Sequence, residues 1–226
     1  MELLKRLIWT AVVVLLFGVF AYGGIQIRNI IIANNYITYW QQEQLNEGNF
    51  TLVVMGDSIS TGVGASSPSK SFVGLIADNI RSTTGRSVRV VNLATPKATF
   101  KDILVKQIPK SREQKTDMIL ISAGRDDING KSFDLLTLKK LLESLPSVDS
   151  YITEIPANYD SQRNKTIEIV NKAIGKHADS LSINVIPLYN VTSKSIFDLS
   201  YYDWDFVHPN DKGHKLWADT IWNEMK

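Results

Sequence analysis

The chain has 226 residues, a formal net charge of +2 and no cysteine. Hydrophobic residues make up 44% of it and charged residues 21%, a balance that is typical of one globular domain with a short appendage and excludes a disordered chain or a polytopic membrane protein. The small net charge gives no sign of a nucleic-acid partner, and the lack of cysteine excludes disulfide scaffolds, zinc–thiolate sites, cysteine nucleophiles and lipid attachment through cysteine.

The N-terminus carries an uncharged apolar run from Leu7 to Ile27, preceded by Lys5 and Arg6 and closed by Arg28. About 20 apolar residues suffice to cross the hydrocarbon core of a membrane as a helix. The run has no polar face, as the core helix of a soluble protein would have. We therefore predict a membrane-spanning helix, and the basic residues ahead of it favour a cytoplasmic N-terminus.

Two interpretations of this segment remain open. One is an uncleaved signal anchor over residues 1–28, which the length of the apolar run favours. The other is a signal peptide that is cleaved near the small residues Ala21 and Gly23. Both interpretations place the folded domain on the extracytoplasmic side of a cell membrane, either in a periplasm or outside the cell.

Residues 29–50 are rich in polar side chains, and we interpret them as a connector to a single folded domain over residues 51–226. Three aromatic residues of the connector are of the kind that lies at membrane interfaces: Tyr36, Tyr39 and Trp40. No internal repeat or low-complexity tract divides the rest of the chain.

Five short apolar runs, rich in β-branched residues, follow along the chain. They lie at residues 51–55, 88–94, 117–123, 150–155 and 183–188. Runs of this kind, bounded by glycine, proline or polar residues, are typical of strands that are buried on both faces.

The segments between and after the strands place apolar residues three and four positions apart, which predicts helices. These segments are residues 70–82, 132–145, 160–178 and 211–225, the last starting at Asp211 as a helix N-cap. Alternating strands and helices predict an α/β fold with a five-stranded parallel sheet between helices. In such folds ligands bind beyond the carboxyl ends of the strands, so the residues that follow each strand are candidates for a site.

The first strand is followed by the sequence GDSIS, in which Gly56 allows a sharp turn and Ser58 begins the next segment. A serine at a strand-to-helix turn can direct its own N–H into a site. A simple N-cap of a structural helix is the alternative, and this stretch alone does not decide between the two.

A serine nucleophile needs a base, and the chain has three histidines, His177, His208 and His214. Imidazole titrates near neutral pH, which suits His208 as the base for Ser58. Asp205, three residues earlier, is placed to orient the imidazole and stabilise its charged form. We interpret His214 as packing against or capping the last helix, and His177 as solvated.

These two stretches, GDSIS and DFVHPNDKGH, resemble the first and last sequence blocks of the SGNH or GDSL hydrolases, over about residues 51–225. The resemblance implies a three-layer α/β/α sandwich of flavodoxin-like type. It also implies a carboxylic ester hydrolase with Ser58 as nucleophile, His208 as base and Asp205 as the residue that orients the base.

The two middle blocks depart from the family pattern. Lys97 stands where the family has a glycine whose N–H enters the oxyanion hole, and Asp126 stands where it has an asparagine. By position, the resemblance implies an oxyanion hole made by Ser58, Lys97 and Asp126. An ionised aspartate cannot donate a hydrogen bond to an oxyanion. Asp126 therefore contributes only if burial keeps it protonated; otherwise Arg125 or Asn129 replaces it, or the site is weakened.

Three further residues are candidates for contacts with substrate, namely Asp57, Arg125 and Trp204. Trp204 follows Tyr201 and Tyr202 closely, and this aromatic stretch suits either a sugar- or acyl-binding wall or packing. The sequence has no spacing typical of metal ligands, and its glycine-rich stretch GVGASSPSK lacks the phosphate-loop pattern. We therefore expect neither metal nor cofactor.

Together these features predict an exported, membrane-anchored serine esterase that hydrolyses acyl esters, O-acetyl groups above all, on cell-envelope carbohydrate. Its partners would be an acylated small molecule or polysaccharide, and the membrane through the N-terminal helix. The alternatives are a lipid esterase or thioesterase, and an SGNH-fold glycan-binding protein that has lost its oxyanion hole. Whether water or a sugar accepts the acyl group stays open.

Overall fold

The five apolar runs form the five strands of one parallel sheet in a computed structural model, which describes residues 1–130 and 133–226. The strand order is β2-β1-β3-β4-β5. The strands are β1 Phe50–Gly56, β2 Val88–Asn92, β3 Met118–Ser122, β4 Asp149–Thr153 and β5 Asn184–Ile186. The predicted α/β fold with a five-stranded parallel sheet is confirmed.

The central strands are continuous apolar runs because helices cover both faces of the sheet. Every residue of β1 and β3 is buried. Alternate side chains of β1 enter two separate cores, with Leu52 and Val54 on one face and Val53 and Met55 on the other. This arrangement is the three-layer α/β/α sandwich that the sequence predicts.

The helices that connect and flank the strands vary widely in length. They are α1 Glu2–Glu43, α2 Ser58–Thr61, α3 Phe72–Thr84, α4 Phe100–Asp102, α5 Ile108–Arg112, α6 Arg125–Asn129, α7 Leu135–Glu143, α8 Ser161–Asp179, α9 Leu188–Ser195 and α10 Asp211–Met225. A π-helical turn, Ile103–Gln107, joins α4 to α5, and 3-10 turns lie at Pro68–Lys70 and Leu199–Tyr201.

Side-chain caps decide where two of the predicted helices begin. The predicted start of α7 at residue 132 lies outside the described residues, and the observed helix follows Asp134, whose carboxylate accepts from the N–H groups of Leu136 and Thr137. The cap of α10 is Asn210 rather than the predicted Asp211. Asp211 is the first helical residue, and its carboxylate accepts from the N–H and hydroxyl of Ser66.

Helix α1 is continuous over 42 residues, which corresponds to a length of about 60 Å, roughly twice the hydrocarbon core of a membrane. By length and composition its apolar part is suited to cross a membrane, although a signal sequence has the same features. Residues 1–21 are exposed along their whole length. The second half of the helix behaves differently.

Residues 29–43, interpreted above as a connector, are the docked end of α1. Trp40 is buried in the core beside β1, and its Nε1 donates to the carbonyl of Thr61 at 2.9 Å. The hydroxyl of Tyr36 donates to the carbonyl of Ala65 at 2.7 Å. Tyr36 and Trp40 therefore contact the folded domain and do not lie at a membrane interface. Packing the apolar face of the helix against the domain removes that face from water, which stabilises the docked position.

Candidate active site

Ser58 lies at the sharp turn between β1 and α2. Gly56 has a φ of 156°, and a Cβ there would lie 2.1 Å from the carbonyl oxygen of Ser122, so the turn needs glycine. Asp57 caps α2 by accepting from the N–H of Ile59 at 2.9 Å. As the first residue of α2, Ser58 has a backbone N–H without an acceptor inside the helix, which leaves it available to a ligand.

The buried side chain of Gln107 holds this turn in place. Gln107 accepts from the N–H of Gly56 at 2.9 Å and donates to its carbonyl at 3.0 Å, so one side chain holds both backbone groups of Gly56. Gln107 is 2% exposed. No local sequence pattern marks this role, because the two residues are 51 positions apart in the chain.

Ser58, His208 and Asp205 form one line of hydrogen bonds. The Oγ of Ser58 lies 2.9 Å from Nε2 of His208, and Nδ1 of His208 lies 2.5 Å from Oδ2 of Asp205. A carboxylate only accepts hydrogen bonds, so Nδ1 carries the proton and Nε2 accepts from the Ser58 hydroxyl. This geometry suits abstraction of the serine proton, and the catalytic roles of the three residues remain a prediction.

A tight loop presents the histidine. Oδ1 of Asp205 accepts from the N–H groups of Val207 and His208, each at 2.9 Å, and the N–H of Asp203 donates to the carbonyl of His208 at 2.8 Å. Phe206, at the centre of the loop, has a φ of 56°. A bulky residue in the left-handed region is strained, and the surrounding hydrogen bonds hold the strained turn in place.

The carboxyl of Asp205 is held in its charged form. Burial favours the neutral acid, but the hydrogen bond and charge of His208 and the backbone N–H groups of His208 and Val207 outweigh it, and the pKa of Asp205 lies well below its usual range. A further donor, the side-chain amide of Asn29 on α1, lies 2.6 Å from Oδ2. This contact was not predicted from the sequence, because Asn29 was interpreted as part of a connector.

His214 packs inside the domain, as predicted. Its Nδ1 accepts from the N–H of Phe72 and its Nε2 donates to the carbonyl of Val63, both at 3.2 Å. Burial lowers the pKa of His214 to about 4. The imidazole is therefore neutral and fully engaged, so His214 is not available to Ser58.

Lys97 adopts the backbone conformation that glycine favours. Its φ is 62°, in the left-handed region, which costs a residue with a Cβ about 1–2 kcal/mol. The loop thus keeps a glycine-like turn in spite of the substitution. Because lysine retains its backbone N–H, this position can still donate to a substrate that enters the cavity beside Ser58.

Asp126 lies on α6, directly after the turn at Gly124, where φ is 107°. Burial raises the pKa of Asp126, while the positive charges of Arg125, His208 and Lys97 oppose the shift. Asp57 is 3% exposed, and burial together with the charge of Asp126 raises the pKa of Asp57 to about 6. Two carboxyls with raised pKa values therefore lie beside Ser58.

A cavity of about 350 Å³ brings most of the predicted site residues together. From the folded domain its lining includes Asp57, Ser58, Pro96, Lys97, Arg125, Asp126, Asn129, Asp205, Val207 and His208. Arg125 also donates to the carbonyl of Val207 at 3.1 Å, so it braces the histidine loop. Trp204 is 78% exposed and is not among the described residues that line this cavity.

One wall of the cavity comes from α1, which sequence reasoning missed. Its lining residues there are Tyr22, Gln26, Asn29, Ile30 and Ala33. They recur three and four positions apart along α1, which is one face of a helix. That spacing, continued by Tyr36 and Trp40, was the signal in the sequence that the helix extends past residue 28 and docks on the domain.

Comparison with known proteins bears on the family and on the fold of the chain. The family model of the GDSL-like lipase/acylhydrolase family matches residues 54–216. A catalytic mutant of an acetylxylan esterase from Geobacillus stearothermophilus is 19% identical, with a TM-score of 0.67 over 80% of this chain and 95% of that chain. A lipase/acylhydrolase from Enterococcus faecalis is 22% identical, with a TM-score of 0.63 over 78% and 95%.

A third similar structure is an α/β hydrolase from the metagenome of Lake Arreo, which is 18% identical with a TM-score of 0.64 over 79% of this chain and 96% of that chain. Identities this low show a shared fold and nothing finer. The search of curated proteins found no significant match. The family resemblance predicted from the first and last sequence blocks is confirmed.

Proposed function

The chain belongs to the GDSL-like lipase/acylhydrolase family and is an ester hydrolase, and we propose that it is a membrane-anchored serine esterase with its catalytic domain outside the cytoplasm. In this proposal residues 1–28 are the anchor and residues 51–226 the catalytic domain. The apolar part of α1 supports the anchor, and the basic residues Lys5 and Arg6 ahead of it support the orientation.

The observation that carries the mechanism is the 2.9 Å contact between Ser58 Oγ and His208 Nε2. Ser58 attacks the carbonyl carbon of the ester while its proton passes to His208, and Asp205 stabilises the imidazolium that forms. The tetrahedral intermediate expels the alcohol, which takes the proton from His208, and leaves an acyl-enzyme. Water then attacks the acyl group as His208 takes its proton, and the second tetrahedral intermediate releases the acid while Ser58 leaves and takes the proton back from His208.

The negative charge on the tetrahedral oxygen needs donors. We assign the backbone N–H groups of Ser58 and Lys97 to this role, and the protonated carboxyl of Asp126 as the third donor. The raised pKa of Asp126, caused by burial, supports this assignment because a protonated carboxyl can donate. The conformation of Lys97 supports its part, since the loop keeps the shape of a glycine turn.

We propose O-acetyl or similar short acyl esters on cell-envelope carbohydrate as the substrate. The cavity is lined by several polar groups that suit sugar hydroxyls, among them Asp57, Lys97, Arg125 and Asn129. A similar structure is an acetylxylan esterase, which is consistent with a carbohydrate ester. Location outside the cytoplasm would bring the site to envelope glycans.

A second candidate, a lipid esterase, is favoured by the wall that α1 contributes to the cavity. Tyr22 and Gln26 belong to the apolar run and Ile30 follows it closely. An ester bound against these residues would lie at the surface of the membrane, within reach of an acyl chain. This candidate differs from the first in chain length of the acyl group and not in mechanism.

Full-length protein in detergent micelles tests both candidates. Wild type, Ser58→Ala and the surface variant Ser82→Ala are compared on 4-nitrophenyl acetate, 4-nitrophenyl decanoate and acetylated xylo-oligosaccharides. We expect hydrolysis of the acetyl esters that Ser58→Ala lowers by at least about a thousandfold and Ser82→Ala leaves unchanged. Preference for the decanoate favours the lipid esterase. Lack of any Ser58-dependent turnover contradicts both and favours a glycan-binding protein.

A further inference from the structure

Asn29 connects the N-terminal helix to the candidate triad. Its Nδ2 lies 2.6 Å from Oδ2 of Asp205, the same oxygen that accepts from Nδ1 of His208. The two residues are 176 positions apart in the chain. Asn29 is 9% exposed, so the contact is shielded from water.

The neighbouring charges fix which end of the Asn29 amide faces the carboxylate. Nη1 of Arg28 donates to Oδ1 of Asn29 at 3.3 Å and to Oδ2 of Asp203 at 2.6 Å. An ionised Asp205 accepts hydrogen bonds and cannot donate them. Both contacts therefore require that the NH₂ group of Asn29 points at Asp205.

With Asn29 in place, each oxygen of Asp205 accepts two hydrogen bonds from described residues. Oδ1 accepts from the backbone of Val207 and His208, and Oδ2 accepts from the His208 ring and Asn29. Three of the four donors belong to the loop that carries Asp205 itself. The fourth comes from α1 and is the donor among the described residues that reaches this carboxylate from outside the loop.

We propose that Asn29 is a positioning residue, which holds the Asp205 carboxylate against His208, so that full activity requires α1 to be docked on the domain. The inference rests on the proposed role of Asp205 and His208. In this proposal the N-terminal helix has a second function beside anchoring. Asn29, two positions after the apolar run, acts on His208 through Asp205.

The test uses full-length protein in micelles and three variants. Asn29→Ala removes the donor. Asn29→Asp keeps the size of the side chain but replaces the donor with a second carboxylate. Tyr36→Phe is the matched control, because it removes a hydrogen bond between α1 and the domain at Ala65 without contact to the triad. Activity on 4-nitrophenyl acetate, its pH profile and Tm are measured for each.

We expect Asn29→Ala to lower kcat about tenfold with KM unchanged, as for loss of a hydrogen bond to a charged group. Asn29→Asp should lower kcat further at neutral pH, because the added negative charge favours the imidazolium and moves the acidic limb of the pH profile to higher pH. Tyr36→Phe should lower Tm without changing kcat. Wild-type kcat in Asn29→Asp, or losses of kcat that follow Tm across all three variants, would overturn the proposal.

A second measurement separates this proposal from the proposed function. The chain has three histidines, so NMR of ¹⁵N-histidine-labelled protein can resolve the Nδ1–H of His208, assigned with His177→Gln. Asn29→Ala should shift or broaden this resonance, and Tyr36→Phe should leave it in place. An unshifted resonance in Asn29→Ala overturns the positioning role, whether or not the protein hydrolyses esters; a failed proposed function shows instead as turnover that Ser58→Ala does not lower.

Discussion

Gly64 packs against His208, and the space between the two residues is too small for a side chain at position 64. A Cβ at Gly64 would lie 2.9 Å from Cβ of His208 and 2.1 Å from the carbonyl oxygen of Pro209. Gly64 also has a φ of 99°, which residues with a Cβ rarely adopt. The backbone at position 64 therefore limits how far His208 can shift in the direction of Gly64.

From this contact we expect Gly64→Ala to move His208 away from Ser58. Activity should fall at least about tenfold, and the free energy of unfolding should fall by more than about 2 kcal/mol from backbone strain and overpacking. Gly85→Ala is the matched control, because Gly85 also has a positive φ, 67°, but nothing lies within 4 Å of its added Cβ. The control should lose about 1 kcal/mol of stability and no activity.

Ester hydrolysis and thermal unfolding of the two variants check this prediction. If Gly64→Ala and Gly85→Ala lose the same stability and both keep wild-type activity, the contact with His208 has no role in positioning the base.

The sequence was sufficient to predict the sheet, because a continuous apolar run such as Leu52–Met55 indicates by its composition alone a strand that is buried on both faces. It also placed Ser58 at the end of β1, because the carboxyl end of a parallel strand is where such a turn must lie. Neither inference needs knowledge of distant contacts. The roles of Ser58, His208 and Asp205, inferred from their chemistry and from the family resemblance, stay a prediction.

What the sequence did not predict depends on contacts between distant residues. The docking of residues 29–43 was missed because the segment was interpreted from its polar residues, whereas its buried residues, Asn29, Ala33 and Trp40, lie along one face of the helix. The left-handed conformation of Lys97 was equally hidden, since lysine itself does not favour it. The conformation of Lys97 therefore depends on the packing of its loop against the rest of the domain.

His214 makes the fold sensitive to acid. Burial lowers the pKa of His214 to about 4, below its ordinary value of 6.5, so the unfolded chain binds a proton at a pH where the folded chain does not. The stabilisation is therefore complete above about pH 6.5 and is lost as the pH falls towards 4, by about 3 kcal/mol. Unfolding of wild type and His214→Asn between pH 7 and 4 should show a shallower dependence in the variant.

His177→Gln is the control for this measurement, because His177 lies in the last turn of α8, is only partly buried, and no hydrogen bond of its ring is described. It should keep the wild-type slope. An equal slope in wild type and His214→Asn would show that other groups, and not His214, cause the acid sensitivity.

The orientation of the chain can be tested independently of its activity. We expect a reporter that is active only outside the cytoplasm to function when it is fused after Lys226, and to be inactive when it is fused before Met1. Replacing Lys5 and Arg6 with glutamate should weaken this asymmetry, since basic residues ahead of the helix hold that end in the cytoplasm. Cytoplasmic activity of the C-terminal fusion would reverse the proposed localisation.

Asp126 decides the pH dependence of the proposed oxyanion hole. Its raised pKa means that the carboxyl stays protonated, and able to donate, at pH values where an ordinary aspartate is ionised. Above that pKa the carboxylate opposes the negative charge on the substrate oxygen. We therefore expect the wild-type rate to fall on the alkaline side of its optimum.

Asp126→Asn supplies a donor at every pH, so its rate should reach a plateau on the alkaline side and exceed that of the wild type there, by a factor that approaches the hundred- to thousandfold effect of one such donor. Asp126→Ala should be slow at every pH, because it lacks the donor without adding a charge. Profiles of kcat against pH for these variants, with the exposed Asp78→Asn as control, distinguish the cases. If Asp126→Asn, Asp126→Ala and wild type have the same rate at each pH, Asp126 lies outside the oxyanion hole and the match of the third sequence block is wrong.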